Sequence, residues 1–134
     1  MQWAGGTWWG TNVWDKGGAS RAPHCSYFRH QAEYVVWATK ERVPCKAAGG
    51  HAGVLACGSP RTKQHVAQKP VDVMRWLLEI NTGLVFDPFV GSGTSILTAD
   101  QLGRPCYAGE LVPEIAAVCL ERLAEAGKKP RLAA

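Results

Sequence analysis

FDPFVGSGT, residues 86–94, follows the short apolar run Leu84-Val85-Phe86 and leads into a segment of helical character that reaches about Leu102. A strand that enters a glycine-rich turn and then a helix brings backbone close to a ligand and leaves free N–H groups at the helix start. Gly103 supplies the helix stop, and a second apolar run follows around Cys106-Tyr107-Ala108. Strand, helix and strand in that order predict a crossover unit. The fold class is therefore α/β, with a mostly parallel sheet, flanking helices and ligand binding at the carboxyl ends of the strands.

Working outward, Pro70 is a good first helical position and Asp72 complements a helix N-terminus, while Val71, Met74, Leu77 and Leu78 fall at helical spacing. An amphipathic helix is predicted over 70–80. TWWGTNVW, residues 7–14, is aromatic and β-favouring and ends at the turn signal Asp15-Lys16-Gly17-Gly18. The dense apolar run within Glu33-Tyr34-Val35-Val36-Trp37-Ala38 predicts a strand buried on both faces. Residues 40–64 carry Pro44, Gly49, Gly50, Gly53, Gly58 and Pro60 among basic residues, which predicts a loop with a short strand near Val54-Leu55. Pro113 opens a last helix with Ile115, Val118, Cys119 and Leu123 on one face, ended by Gly127.

The 134 residues suffice for one modest domain, and their 46% hydrophobic and 19% charged content indicates neither disorder nor a membrane class. No run approaches the roughly 18 apolar residues of a membrane span, and no secretion signal opens the chain. A cytoplasmic setting is the expectation. Five cysteines (Cys25, Cys45, Cys57, Cys106, Cys119), odd in number and without a Cys-x-x-Cys pair, point to free thiols rather than a disulfide framework. A net charge of +4 is compatible with a polyanionic partner but does not require one.

The glycine turn is not a phosphate-binding P-loop, because no Gly-Lys-Ser/Thr follows. Ile96 stands where a dinucleotide fingerprint would want its third small residue. Glu110 lies just past the second strand, where a carboxylate can accept hydrogen bonds from both ribose hydroxyls of an adenosine. From the crossover alone, a surface carboxylate beside a simple turn is the alternative.

DPFVGSGTS followed by LGRPCYAGEL resembles the S-adenosylmethionine-binding signature of the DNA amino-methyltransferases, which act on adenine N6 or cytosine N4. His65-Val66-Ala67-Gln68-Lys69-Pro70 is similar to the His-x-x-x-Lys-Pro segment that precedes this loop in the permuted β-type members, several of them phage-encoded. Residues 13–17 and 33–40 resemble the two strands that follow the catalytic segment in that family. The resemblance implies a partial Rossmann-like methyltransferase fold as a single, truncated domain over 1–134, with S-adenosylmethionine as cofactor and DNA as partner. It implies that Asp87, Phe89, Gly91, Gly93 and Thr94 surround the methionine and adenosine parts, and that Glu110 binds the ribose. Lys69 and Pro70 would close the methionine side, with His65 and Gln68 shaping that turn.

The family's catalytic segment, Asp/Asn/Ser-Pro-Pro-Tyr/Phe, is expected upstream of these strands, yet the 134 residues contain no Pro-Pro pair. Its carbonyl groups orient the exocyclic amine while its aromatic ring stacks on an extruded base. Asp87-Pro88-Phe89 has a single proline, and its aspartate is needed beside the cofactor. A sheet without the catalytic strand is expected to be bridged, to oligomerise, or to be completed by a partner chain. The loop 40–64 occupies the place of a target-recognition region but is short for base reading, and its Lys40, Arg42, Lys46, Arg61 and Lys63 are candidates for phosphate contacts, with a solvated basic loop as the alternative. Cys45, His51 and Cys57 lack the close paired spacing of a zinc site. Trp3, Trp8, Trp9 and Trp14 are expected in the core or at a subunit contact rather than stacked on bases. Two classes stand: a site-specific DNA methyltransferase, incomplete as a stand-alone catalyst, and a non-catalytic module that binds cofactor or DNA.

Overall fold

A computed structural model describes residues 2–3, 5–19, 28–41, 50–58 and 68–129. The chain forms two compact units, Met1–Ser59 and Pro60–Ala134.

The first unit is a four-stranded sheet of β1 (Gln2–Trp3), β2 (Gly6–Asp15), β3 (Ala32–Thr39) and β4 (Val54–Ala56). β2 is central: β3 runs antiparallel along its whole length, while β1 pairs antiparallel near its start and β4 parallel over its last three residues. The expectation of a mostly parallel sheet does not hold in this unit, whose longest pairing is antiparallel. Nor is β3 buried on both faces. Among the described residues it pairs with β2 alone, and Tyr34 and Val36 are 71% and 66% exposed. An apolar run reads alike in a central and an edge strand, because hydrophobicity does not record which neighbours arrive.

The core of this unit is Trp14, 3% exposed, whose indole Nε1 donates to the Cys57 carbonyl at 2.7 Å and so fastens the chain after β4 to β2. At the end of β2 the Asp15 carboxylate accepts hydrogen bonds from the Gly17 amide (2.8 Å) and the Gln31 amide (2.9 Å), closing the predicted turn. Both bonds favour the ionised form and hold the Asp15 pKa below its ordinary value. A bulge between Trp8 and Gly10 releases Trp9 from the ladder. Its ring stacks on Trp37 with centroids 6.2 Å apart, and its Nε1 donates to Thr39 Oγ1 at 2.7 Å.

The second unit holds α1 (Val71–Leu78), β5 (Val85–Asp87), α2 (Thr94–Gln101), β6 (Cys106–Ala108) and α3 (Pro113–Glu125). β5 and β6 are parallel, with Val85, Phe86 and Asp87 opposite Cys106, Tyr107 and Ala108, so the predicted crossover is present and α2 is its helix. Pro70 sits one residue earlier than expected, at the N-cap of α1, where its extended ψ of 145° sets the entry to the helix. The deepest residues of α1 are Val73 and Trp76, whereas Val71, Met74, Leu77 and Leu78 are half-buried. The apolar stripe is wider than the spacing of four residues suggested, because Trp76 turns its large ring inward.

Two devices hold this unit closed. Arg104, just before β6, donates to the carbonyls of Leu78 (2.6 Å) and Gly83 (2.8 Å) and to the side chain of Asn81 (3.1 Å). It thereby satisfies acceptors at the end of α1 and in the turn before β5, which helix geometry leaves open. On the other side α3 packs against the glycine turn. Gly93 has φ +85°, and a Cβ placed on it would lie 2.6 Å from the Cys119 sulfur. Burial pushes the Cys119 thiol pKa up, Arg122 opposes that shift and Glu110 adds to it.

Arg104→Ala is expected to lower the stability of the folded chain by about 1–3 kcal/mol, read as a fall in the urea midpoint. Gly93→Ala combines an unfavourable left-handed backbone with the Cys119 collision and is expected to cost about 2 kcal/mol or more by the same measurement. Because its raised pKa leaves less thiolate, Cys119 in the native chain should be alkylated by iodoacetamide at pH 8 more slowly than free cysteine, as followed by mass spectrometry.

Candidate functional site

The carboxyl ends of β5 and β6 carry the two loops 88–93 and 109–112, and hydrogen bonds continue the parallel ladder into both. Gly109 N–H donates to the Asp87 carbonyl at 2.9 Å, and Val90 N–H donates to the Gly109 carbonyl at 3.0 Å. The glycine loop thus leaves β5 still tied to the chain that leaves β6.

Side chains add three further braces. Asp87 accepts from the Phe89 amide on Oδ1 (3.0 Å) and from the Ser95 hydroxyl on Oδ2 (2.5 Å), joining the start of the loop to the first turn of α2. Glu110 accepts from Gly91 N–H on Oε2 and from Val112 N–H on Oε1, both at 3.0 Å. Arg122 of α3 donates from Nη1 to the Ser92 carbonyl, to Ser92 Oγ (3.1 Å) and to Thr94 Oγ1 (3.3 Å). Thr94 Oγ1 in turn donates to the Lys69 carbonyl at 3.3 Å, which draws the segment before α1 to the start of α2. Ser92, Thr94, Ser95 and Arg122 are all buried.

Of the candidate cofactor residues, Lys69, Asp87, Phe89, Gly91, Gly93, Thr94 and Glu110 are brought to this end of the second unit by these bonds. Gln68 and Pro70 adjoin Lys69, Pro70 buried and Gln68 half-buried. His65 lies outside the described residues. Phe89 is 87% exposed, so its ring stands clear of the loop whose backbone it belongs to. Of the candidate DNA contacts only Lys40 is described, and it is exposed; Arg42, Lys46, Arg61 and Lys63 lie outside the described residues.

Three participants escaped the sequence reading. Ser92 and Ser95 are ordinary residues of a glycine turn and a first helical turn, with nothing in their type to mark them. Arg122 carried a usable signal: it lies three residues after Cys119 and four after Val118, on the face otherwise given to apolar side chains. Burial lowers its pKa from the ordinary arginine value, against the effects of Cys119 and Glu125.

Chemically the arrangement offers an acceptor and donors side by side. A carboxylate has about four lone-pair sites, and Glu110 uses two on backbone amides, leaving capacity for a pair of hydroxyls. The amides of Thr94, Ser95 and Ile96 have no acceptor within α2, because the first intrahelical bond runs from Leu97 N–H to the Gly93 carbonyl. A Cβ built on Gly91, at φ +55°, would meet nothing within 4 Å, so the loop faces open space there.

Elsewhere the tryptophans divide: Trp14 is core, while Trp8 and Trp9 are 45% and 53% exposed. Cys57, Cys106 and Cys119 are free thiols. Among the described residues no three His, Cys, Asp or Glu side chains gather as metal ligands, and Cys45 of the zinc triplet lies outside them. Among the same residues no helix is long and apolar enough to cross a membrane.

Residues 50–121, more than half of the chain, match the N6/N4-type family described as DNA methylase. The chain is 49% identical over 43 residues to the "Type II methyltransferase M.HindIII" of Haemophilus influenzae, a match covering 30% of this chain and 14% of that protein. It is 31% identical over 115 residues to the "Putative methylase YubD" of Escherichia coli (strain K12), covering 84% of this chain and 49% of that one. The chain therefore spans about half or less of the length of the curated relatives it matches. Among solved structures, the crystal structure of an M1.HpyAVI–SAM complex superposes with a TM-score of 0.74 at 24% identity, over 89% of this chain and 63% of that chain. At that identity the likeness establishes the fold, which is Rossmann-like. Since the family match takes in α1, the whole crossover and both loops at the carboxyl ends of its strands, the chain belongs to the N6/N4 family of DNA methylases.

Proposed function

We propose that this chain holds S-adenosylmethionine at the carboxyl ends of β5 and β6, as the cofactor-binding part of a site-specific DNA methyltransferase acting on adenine N6 or cytosine N4. The observation that carries this reading is Glu110, a carboxylate fixed by Gly91 and Val112 amides with acceptor capacity left over, beside the open amides at the start of α2. Glu110 would take the ribose hydroxyls, and the α2 amides would face the methionine carboxylate. Gly91 leaves room for backbone to approach the ligand, and Lys69 and Pro70, tied in through Thr94, would close the methionine side.

When bound, S-adenosylmethionine supplies a methyl group activated by its sulfonium. In the reaction it would serve, the exocyclic amine would form the new N–C bond as the methyl C–S bond broke, with S-adenosylhomocysteine leaving and the amine proton passing to solvent. The chain's own part in this is to hold and orient. The permuted β-type order, in which the amine-orienting Pro-Pro segment precedes the strands of the first unit, and a phage-like ancestry fit the motifs of residues 13–17, 33–40 and 65–70. Lys40, with Arg42, Lys46, Arg61 and Lys63, would contribute phosphate contacts, which raise affinity without reading sequence.

A second reading, a cofactor- or DNA-binding module completed by another copy or a partner chain, is favoured by the occupation of Asp87. Asp87 braces the loop and the first turn of α2 through its two carboxylate oxygens, and Asp87-Pro88-Phe89 has one proline where the amine-orienting segment has two. No Pro-Pro pair stands elsewhere in the sequence.

Calorimetric titration with S-adenosylmethionine should show saturable one-site binding, and Glu110→Gln should weaken it by about tenfold or more, because an amide offers one acceptor oxygen where two are used. No saturation by the wild-type chain would remove the proposal. With labelled cofactor and unmethylated DNA, these 134 residues alone are expected to bind without transferring methyl. Transfer would overturn the module reading and show that another segment of the chain orients the amine.

A further inference from the structure

Arg122 is a buried cation on α3, outside every segment to which a cofactor role is assigned above. Its Nη1 converges on the Ser92 carbonyl, Ser92 Oγ and Thr94 Oγ1, the three acceptors of the turn between the glycine loop and α2. The geometry of one peptide plane gives this cluster its meaning. The Ser92 carbonyl and the Gly93 N–H belong to the same rigid unit and point in opposite directions. Arg122 holds the carbonyl end, and the Val90 carbonyl holds the N–H end at 3.0 Å. Clamped at both ends, the Ser92–Gly93 peptide cannot rotate. Its orientation sets where Gly91 N–H meets Glu110 on one side and where α2 begins on the other. Through Thr94 Oγ1 the same guanidinium steadies the Lys69 carbonyl.

We propose that Arg122 is a positioning residue for cofactor binding: it locks the Ser92–Gly93 peptide and so presents the Gly91–Glu110 bridge and the first α2 amides in a binding-ready arrangement. The inference rests on the cofactor reading above. A purely structural role fits less well, because a buried guanidinium loses hydration that an apolar side chain of similar volume at this α3 position would not. The charge is explained by what it does to the loop, whose buried Ser92 carbonyl needs a donor.

The test compares the full wild-type chain with Arg122→Met and Arg122→Lys, and with Arg104→Gln as the control for loss of an arginine clamp elsewhere in the same unit. Each is measured for thermal midpoint, for calorimetric affinity toward S-adenosylmethionine at a temperature where it is folded, and for amide hydrogen exchange at Gly91 and Gly93 without ligand. Arg122→Met is expected to weaken affinity by about tenfold or more and to speed exchange at Gly93, with Arg122→Lys retaining part of both. Arg104→Gln should lower the midpoint while leaving affinity and Gly93 exchange unchanged. Wild-type affinity and Gly93 protection in Arg122→Met would overturn the proposal, as would an equal loss of affinity in Arg104→Gln. If Arg122→Met does not fold, Arg122→Lys decides, and wild-type values there overturn it. If the wild-type chain binds no S-adenosylmethionine, the cofactor reading fails on its own account. Gly93 exchange then decides alone whether Arg122 locks the loop.

Discussion

The ladder between β5 and β6 is three residues long on each strand, and the two loops at its carboxyl end depend on its continuing past them. Gly109 N–H to the Asp87 carbonyl and Val90 N–H to the Gly109 carbonyl are backbone bonds, indifferent to side-chain identity, and they fix the glycine loop against the loop after β6. A parallel pair this short is weak by itself. The loops and the ladder therefore stabilise one another, and the side-chain braces of Asp87, Glu110 and Arg122 act on a frame the backbone has already set.

The three braces differ in what they cost. Asp87 accepts one hydrogen bond on each oxygen and joins the start of the loop to the first turn of α2. Glu110 likewise accepts one amide bond on each oxygen, and it ties the glycine loop to the loop after β6. Arg122 is the expensive member, since burial disfavours its charge, and it serves the turn whose Ser92 carbonyl accepts from it. A loop can be shaped by a carboxylate on one side and a guanidinium on the other because each finds the complementary end of a peptide group: carboxylate to N–H, guanidinium to C=O.

The first unit poses a different physical problem. β2 has a partner along one whole edge and only partial pairing along the other, and β3 leaves its outer edge without a strand among the described residues. Its apolar side chains are in large part exposed, with Trp9 and Trp37 covering one another and Trp14 closing the core over the chain at Cys57. A sheet whose faces and edge are this open gains little from burial for its length.

The chain's local signals were sufficient for the crossover. Glycines at 91, 93 and 103 and prolines at 70 and 113 punctuate the sequence where helices begin and end, and short-range sterics act the same way in any tertiary setting. The position of Glu110 just past the second strand was legible too, and the structure sets its carboxylate against Gly91 of the loop. Sheet direction and strand exposure were not: the antiparallel β2–β3 pairing and the open faces of β3 depend on which strands meet, a choice made between residues 17 to 32 apart in sequence. The same holds for Arg122, whose position on the apolar face of α3 was visible in the sequence. Only packing decided that the buried guanidinium would find the Ser92 carbonyl, because a partner for a buried charge is chosen in three dimensions and leaves no period in the chain.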